Sequence, residues 1–405
     1  MQTYYYYVLW CKSCTSKKNW TSDNENFDNL IQEKCLNIVR PKDILFKWIP
    51  YREFGDIREI GKGGFATVHS AIWNDPLSTL DNHEIKKKVA LKRLHNSQNM
   101  TKEFLNEVKA YYSVNEHTSN ILKIYGISRN PESNDYIIVL DYADGGNFND
   151  WINKNYKNFN WLNRLKKLGD IINGLAQIHK KWMVHRDLHT GNILVLYNHL
   201  YISDMGLCGE IGHIDESKIY GVMPYVAPEV LRGKPYTRAA DIYSFGMIMY
   251  FVATGRQPFD NFAHDEILAL KICKGIRPEI NEKEAPKCYI DLMKECWDSN
   301  PDNRPDAKKI KDSIRSFYNS YANDAETDIS FTNNKNRFKE DNEIKMQFKK
   351  AEEYRKSNFS LKNNRNSTTH SQAIYPSRLL NPFTKNLPKY DNNDNSECLD
   401  CVITD

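Results

Sequence analysis

The sequence has no apolar run approaching the roughly 20 residues that a bilayer crossing takes. The longest, Ile242 to Ala253, is broken by Ser244 and Gly246 and reads as a buried helix. The opening residues carry tyrosines where a secretory leader would have a basic start, a longer apolar stretch and a small-residue cleavage site. An intracellular, cytoplasmic chain is therefore expected. No dense stripe of arginine or lysine interleaved with aromatics is present, and the net charge is only +4 over 405 residues, which argues against nucleic acid as a partner. Cysteine is also sparse in useful patterns. Cys35, Cys208, Cys273, Cys288 and Cys296 stand alone, as reduced packing thiols do. The pairs Cys11/Cys14 and Cys398/Cys401 have zinc half-site spacing, but a structural zinc takes four ligands and these pairs sit at opposite ends of the chain; incidental cysteines are the expectation.

What is present is an ordinary globular composition, 40% hydrophobic and 27% charged, enough to bury a core. Texture divides the chain into a polar, weakly structured extension (1–53), a domain with clear alternation, helical periodicity and punctuating glycines (54–318), and an Asn/Lys/Asp-rich tail (319–405) expected to lack stable structure. Within that tail, Asp341 to Lys356 has the charge and sparse apolars of a helix that could lie on the domain or on a partner. Inside the domain, Phe54 to Glu59, Val68 to Trp73 and Val89 to Arg93 read as strands. Leu162, Leu165, Leu168, Ile172, Leu175 and Ile178 recur at spacings of three and four, the signature of one helix face. A β-rich first part followed by a helical second part is the result.

The first chemical signal is Gly61-Lys62-Gly63-Gly64-Phe65-Ala66-Thr67-Val68 between two strands. Glycines there let backbone N–H groups approach phosphate oxygens, although the same cluster alone also fits a hairpin turn. Next, alternation along Val89-Ala90-Leu91-Lys92 points Lys92 to the side of Ala90, and an inward lysine needs an anionic partner, which Glu107 can supply from a helix. Taken singly, Lys92 reads more readily as a surface lysine on an edge strand. The decisive group is His185-Arg186-Asp187-Leu188-His189-Thr190-Gly191-Asn192, followed by Asp204-Met205-Gly206. Asp187, Asn192 and Asp204 are oxygen ligands of the kind hard cations such as Mg²⁺ favour, and phosphates would complete such a site. Each alone could be a turn residue; in this order, with the glycine loop and the lysine, they are far more specific.

With these motifs in place the chain resembles the protein kinase family over about residues 54 to 318, and the order extends through Ala227-Pro228-Glu229, Asp241 to Gly246 and Arg304. Trp297 and the Asn300-Pro301 to Arg304-Pro305 segment are most similar to the tyrosine-kinase-like and tyrosine kinase groups. The resemblance implies an α+β, two-lobed fold: a small lobe (54–139) of antiparallel sheet with one helix, and a larger helical lobe (140–318), with ATP between them. It implies that Lys92, oriented by Glu107, holds the α- and β-phosphates, that Asp204 and Asn192 hold Mg²⁺ (Mn²⁺ as an alternative ion), and that Asp187 accepts the proton of a protein hydroxyl. Ile60, Val68 and Ala90 would cap the adenine, Leu140 would guard the back of the pocket, and the backbone of Asp141, Tyr142 and Ala143 would bind the base. Ser217 and Tyr220 become candidates for activation by an upstream kinase or by the chain itself, with Arg186 as their phosphate partner. Glu229 and Arg304 are expected to form a structural ion pair.

The chain departs from the family pattern at four places. Ala66 stands for the third loop glycine and Met205 for phenylalanine, both mild changes. His189 stands where serine/threonine kinases usually place a lysine, and Gly191 where some tyrosine kinases place an arginine. Val222 replaces a threonine, while Pro224-Tyr225-Val226 leans toward serine/threonine substrates. These departures carry the rival reading, a scaffold that binds ATP without transferring its phosphate.

Overall fold

The computed structural model describes residues 47–63, 66–80, 83–95, 102–114, 120–210, 218–322, 335–358 and 369–387. Gly64, Phe65, Ser217 and both terminal cysteine pairs lie outside them.

The first lobe is a six-stranded sheet with spatial order β1-β5-β6-β4-β3-β2. Its strands are β1 (Lys47–Trp48), β2 (Phe54–Lys62), β3 (Ala66–Leu80), β4 (His83–Leu94), β5 (Ile124–Arg129) and β6 (Tyr136–Asp141), with α1 (Lys102–Val114) between β4 and β5. All neighbours pair antiparallel except β1, which runs parallel to β5 and adds a strand before residue 54, where the sequence suggested only a polar extension. Ile49, the fully buried residue that follows the strand, donates its N–H to the Ile127 carbonyl (2.8 Å) and anchors the strand there. Period-two alternation sorts side chains between the two faces. Val89, Leu91, Ile137 and Val139 join Ala71 and Trp73 on one side, whereas Ala90, Ile138 and Leu140 join Phe104, Val108 and Tyr111 of α1 on the other. Lys92 follows Ala90 and so faces α1.

The second lobe contains α2 (Phe148–Asn155), α3 (Trp161–Lys180), β7 (Met183–Val184), β8 (Ile193–Leu196), β9 (His199–Ile202), β10 (Gly209–Glu210), β11 (Tyr220–Gly221), α4 (Pro228–Leu231), α5 (Arg238–Thr254), α6 (Glu266–Cys273), α7 (Lys287–Cys296) and α8 (Ala307–Ala322). Helix α3 buries Leu165, Leu168, Ile172, Leu175 and Ile178 as their spacing predicts; Leu162 is only half-buried because Trp161 takes the core position at that turn. Asn160 caps α3 by accepting from the Asn163 N–H at 2.9 Å. Helix α5 is buried almost all round, as its predominantly apolar sequence requires. Arg304 donates to both Glu229 carboxylate oxygens, at 2.7 and 2.8 Å, forming the expected buried ion pair. Among the described residues no helix is long and apolar enough to cross a membrane.

The tail matches its expectation over Asp341 to Lys356, where a helix lies on the domain, and differs from it in carrying further structure. It carries α9 (Lys335–Ser357), β12 (Arg378–Leu379) and α10 (Asn381–Thr384), all packed on the second lobe. Helix α9 is strongly polar overall, but Ile344, Phe348 and Ala351 make one apolar stripe, and that stripe meets an aromatic surface already formed by Trp161, Phe317 and Tyr321. Its polar groups finish other helices: Glu352 accepts from the Trp161 N–H (3.1 Å) and Gln347 from the Cys288 N–H (2.8 Å), both donors at helix starts. Burial works against the Glu352 charge, but Arg355, the Trp161 N–H and Arg164 outweigh it and hold the carboxyl below its ordinary value of 4.5. A depressed folded-state value stabilises above the unfolded value and is lost as pH falls through the folded one. Glu352→Gln should accordingly melt earlier than the wild type at neutral pH, with the gap closing below about pH 4.5; a gap independent of pH would contradict this role.

Candidate active site

The site lies where β4, α1 and the loops after β7 and β9 converge. Lys92 Nζ donates to Glu107 Oε1 and to Asp204 Oδ1, each at 2.7 Å. Burial disfavours the Lys92 charge, yet the Asp204 and Glu107 carboxylates outweigh it and raise its pKa, so the ammonium is fixed. Glu107 is enclosed; burial raises its pKa, partly offset by Lys92. At Asp204 burial also opposes the charge, but Lys92 and the Gly206 N–H prevail and hold the carboxyl below its usual range. The Asp204 side chain stays 46% exposed, so one edge of this anion remains open to a cation.

Two backbone positions here are strained, and buried side chains hold each of them. Asp204 is left-handed (φ 56°), and its N–H donates to the Tyr111 hydroxyl at 2.9 Å. Tyr111 sits four residues after Glu107 on α1, on the same helix face, so one helix orients both the lysine's partner and the aspartate. Arg186 is also left-handed (φ 71°); its N–H and that of His185 donate to the two Asp241 carboxylate oxygens at 3.0 and 2.8 Å, and His179 Nε2 lies 2.9 Å from the same group. His185 Nε2 contacts the Ser203 carbonyl at 3.1 Å, tying this loop to the residue before Asp204. The sequence shows Tyr111 and Asp241 without showing these tasks; the helical spacing of Tyr111 from Glu107 was the available signal.

Asn192 Nδ2 donates to the Asp187 carbonyl (2.9 Å) and to Asp187 Oδ2 (3.2 Å), so its amide nitrogen is spent and its oxygen is the atom left to meet a cation. With Asp204 this supplies two oxygen donors of the right hardness for Mg²⁺. His189 Nδ1 accepts from the Gly191 N–H at 3.2 Å, which places the imidazole proton on Nε2, 3.7 Å from Asp187 Oδ1. A side chain at 191 would strike that ring, since a Cβ there would come within 2.8 Å of His189 Cε1. His189 and Gly191 are thus a matched pair and not two separate departures.

The remaining expected positions surround this centre. Ile60 is 51% exposed on β2, while Val68, Ala90 and Leu140 pack on the inner side of the sheet. Gly61 and Lys62 pair with Val68 and Thr67, and the Gly63 N–H donates to the Ala66 carbonyl at 2.8 Å, closing the hairpin turn. The Thr67 hydroxyl lies 2.9 Å from His95 Nε2. Asp141 is held by Tyr125 and by Lys87 (3.2 Å), and its N–H donates to the Lys123 carbonyl (2.9 Å). Tyr142 lies under the Lys88 ammonium. Met205 is fully buried against α1, as an adaptable apolar residue should be, and Val222 is likewise buried.

Comparison with known proteins agrees with this arrangement. The family profile for protein tyrosine and serine/threonine kinase matches residues 55–314. The chain is 28% identical over 274 residues to a probable serine/threonine-protein kinase of Dictyostelium discoideum, covering 65% of this chain and 19% of the relative. It is 29% identical over 271 residues to the dual specificity protein kinase pyk3 of the same organism (65% of this chain, 18% of the relative), and 29% identical over 283 residues to human mitogen-activated protein kinase kinase kinase 7 (67% and 43%). The chain belongs to the protein tyrosine and serine/threonine kinase family. The shared stretch spans less than half the length of each of these relatives.

Proposed function

We propose that this chain is an ATP-dependent protein kinase that phosphorylates protein hydroxyls, serine and threonine ahead of tyrosine, in intracellular signalling. The observation that carries the reading is the pair of 2.7 Å contacts from Lys92 Nζ to Glu107 and Asp204, made while Asn192 holds Asp187. Lys92 would bind the α- and β-phosphates from a position that Glu107 fixes, and Asp204 and the Asn192 oxygen would hold Mg²⁺ or Mn²⁺. A bound divalent ion supplies neutralisation of phosphate charge. Asp187 would orient the acceptor hydroxyl and take its proton, with Asn192 keeping the carboxylate turned toward the site. Ile60, Val68, Ala90 and Leu140 would enclose the base. Phosphorylation of the stretch containing Ser217 and Tyr220, by another kinase or by this one, would act on Arg186 beside Asp187.

The test is γ-phosphate transfer from labelled ATP with Mg²⁺ to a mixed serine, threonine and tyrosine peptide library. Transfer chiefly to serine and threonine supports the reading; nucleotide binding with no transfer would favour a scaffold, a reading supported by His189 in place of a fixed cation. His189 has a further consequence. A neutral Nε2–H stabilises a phosphate less than an ammonium does, so His189→Lys is expected to raise kcat by about threefold to tenfold with KM for ATP little changed. A fall in kcat would instead make the His189–Asp187 contact a requirement of this site.

A further inference from the structure

A protein substrate has to bring a hydroxyl to Asp187 on an extended stretch of backbone, and one way such a stretch binds is by adding itself to an open strand edge. Strand β11 is the one beside the proposed base: a Cβ built on Gly221 would lie 3.6 Å from Asp187 Oδ1. An edge of β11 is already taken by this chain's own tail. Strand β12 runs antiparallel to it, with Leu379 opposite Tyr220 and Arg378 opposite Gly221. The pairing continues to Ile219, whose carbonyl accepts from the Leu380 N–H (2.7 Å) and whose N–H donates to Asn381 Oδ1 (2.8 Å). Both backbone groups of Ile219 are therefore spent on the tail.

The tail reaches this edge from a second hold, on the loop after α5. The Gln372 carbonyl accepts from the His264 N–H (3.1 Å), and the Ile374 N–H donates to His264 Nδ1 (3.0 Å). The Tyr375 hydroxyl donates to the Pro258 carbonyl (3.1 Å), and Arg378 donates to the His264 carbonyl (2.6 Å). Pro258 adjoins Gln257, which donates to the Thr190 hydroxyl (3.1 Å) in the same loop as Asp187. The strap is thus fastened to two segments that touch the Asp187 loop. It is fastened lightly: a two-residue strand is weak by itself, Leu380 is the one buried residue between 369 and 380, and Ile374 and Leu379 face solvent. One apolar anchor and a set of backbone contacts are what a competing strand has to displace.

We propose that the tail is an intramolecular competitor of protein substrates, with β12 occupying the edge of β11 that an extended substrate segment would pair with beside Asp187. This rests on the protein kinase reading above. The contacts fall on residues 219–221, 258 and 264 and on neither Lys92 nor Asp204, so the competition is with the protein substrate and not with ATP. A site open for only a fraction of the time shows an apparent KM for the protein raised by the inverse of that fraction.

The test compares the full chain with its Leu380→Asp variant, in which a charge at the buried anchor unseats the strand. Transfer of γ-phosphate from ATP with Mg²⁺ is measured against the concentration of peptide acceptors, with a thermal melt alongside. Leu380→Asp should lower KM for the peptides by about tenfold and leave KM for ATP unchanged. A synthetic peptide of residues 369–387, added to that variant, should restore the higher KM by competing with the peptide acceptors. Asn381→Ala, which removes only the acceptor of the Ile219 N–H, should shift peptide KM the same way by about twofold or more, and it decides the matter if Leu380→Asp melts early. An unchanged peptide KM, or a fall in transfer by a variant that melts like the wild type, would overturn the inference and leave the kinase reading intact. No transfer by any of the three proteins would overturn both.

Discussion

Lys92→Met should lower kcat by about two to three orders of magnitude while the chain stays folded. The size of the effect follows from where the charge sits. Lys92 is the fixed cation between Glu107 and Asp204, and the charge spread over the transferring phosphoryl oxygens is what such a cation stabilises more in the transition state than before it. Removing it leaves Glu107 enclosed beside an apolar side chain. That carboxyl's pKa is already raised by burial, so it can take up a proton, and Asp204 is open to water on one edge. The loss of stability should therefore stay near about 1–3 kcal/mol, well short of unfolding. Kinetics on peptide substrates with a thermal melt alongside checks both halves, and a variant with normal turnover would remove Lys92 from the mechanism.

The second large effect is structural. Arg304→Ala would strand the Glu229 carboxylate, buried with it, and should cost about 3–5 kcal/mol. Arg304 also donates to the carbonyls of Ala239 and Asp298, so its loss unsatisfies acceptors on two further segments. Denaturant unfolding should show the midpoint lowered with an unchanged slope. A loss below about 1 kcal/mol would mean water reaches Glu229 and the pair carries little.

Much of the centre is legible from the sequence because its chemistry needs particular residue types at particular intervals. Lys92 and Glu107, or Asp187 and Asn192, are recognisable before any coordinates since few other arrangements serve phosphate and a cation together. Residues that position others are less legible. Asp241 has no chemistry of its own to announce it, and its clamp on the left-handed backbone at Arg186 exists only after a helix 55 residues further on packs beneath the loop. Tyr111 is intermediate: a four-residue step from Glu107 places it on the right face, but nothing local says its hydroxyl meets the Asp204 N–H.

The tail was the least legible part. A two-residue strand such as Arg378–Leu379 carries no period to detect, and it is a strand only because β11 offers an edge. Likewise α9 owes its place to a stripe of three buried apolar residues that would be too weak alone and suffices against the aromatic surface of Trp161, Phe317 and Tyr321. The sequence offers that helix over Asp341 to Lys356, but not which surface its narrow apolar face would meet.

The most direct test of the central claim is Asp187→Asn, measured for nucleotide affinity and for γ-phosphate transfer on the same preparation. The substitution keeps the shape and lets Asn192 and the loop keep their places, but removes the proton acceptor. Unchanged affinity with transfer reduced by about two orders of magnitude or more is the predicted result; transfer at the wild-type rate would show that Asp187 is not the base and that this site does not work as a protein kinase site should.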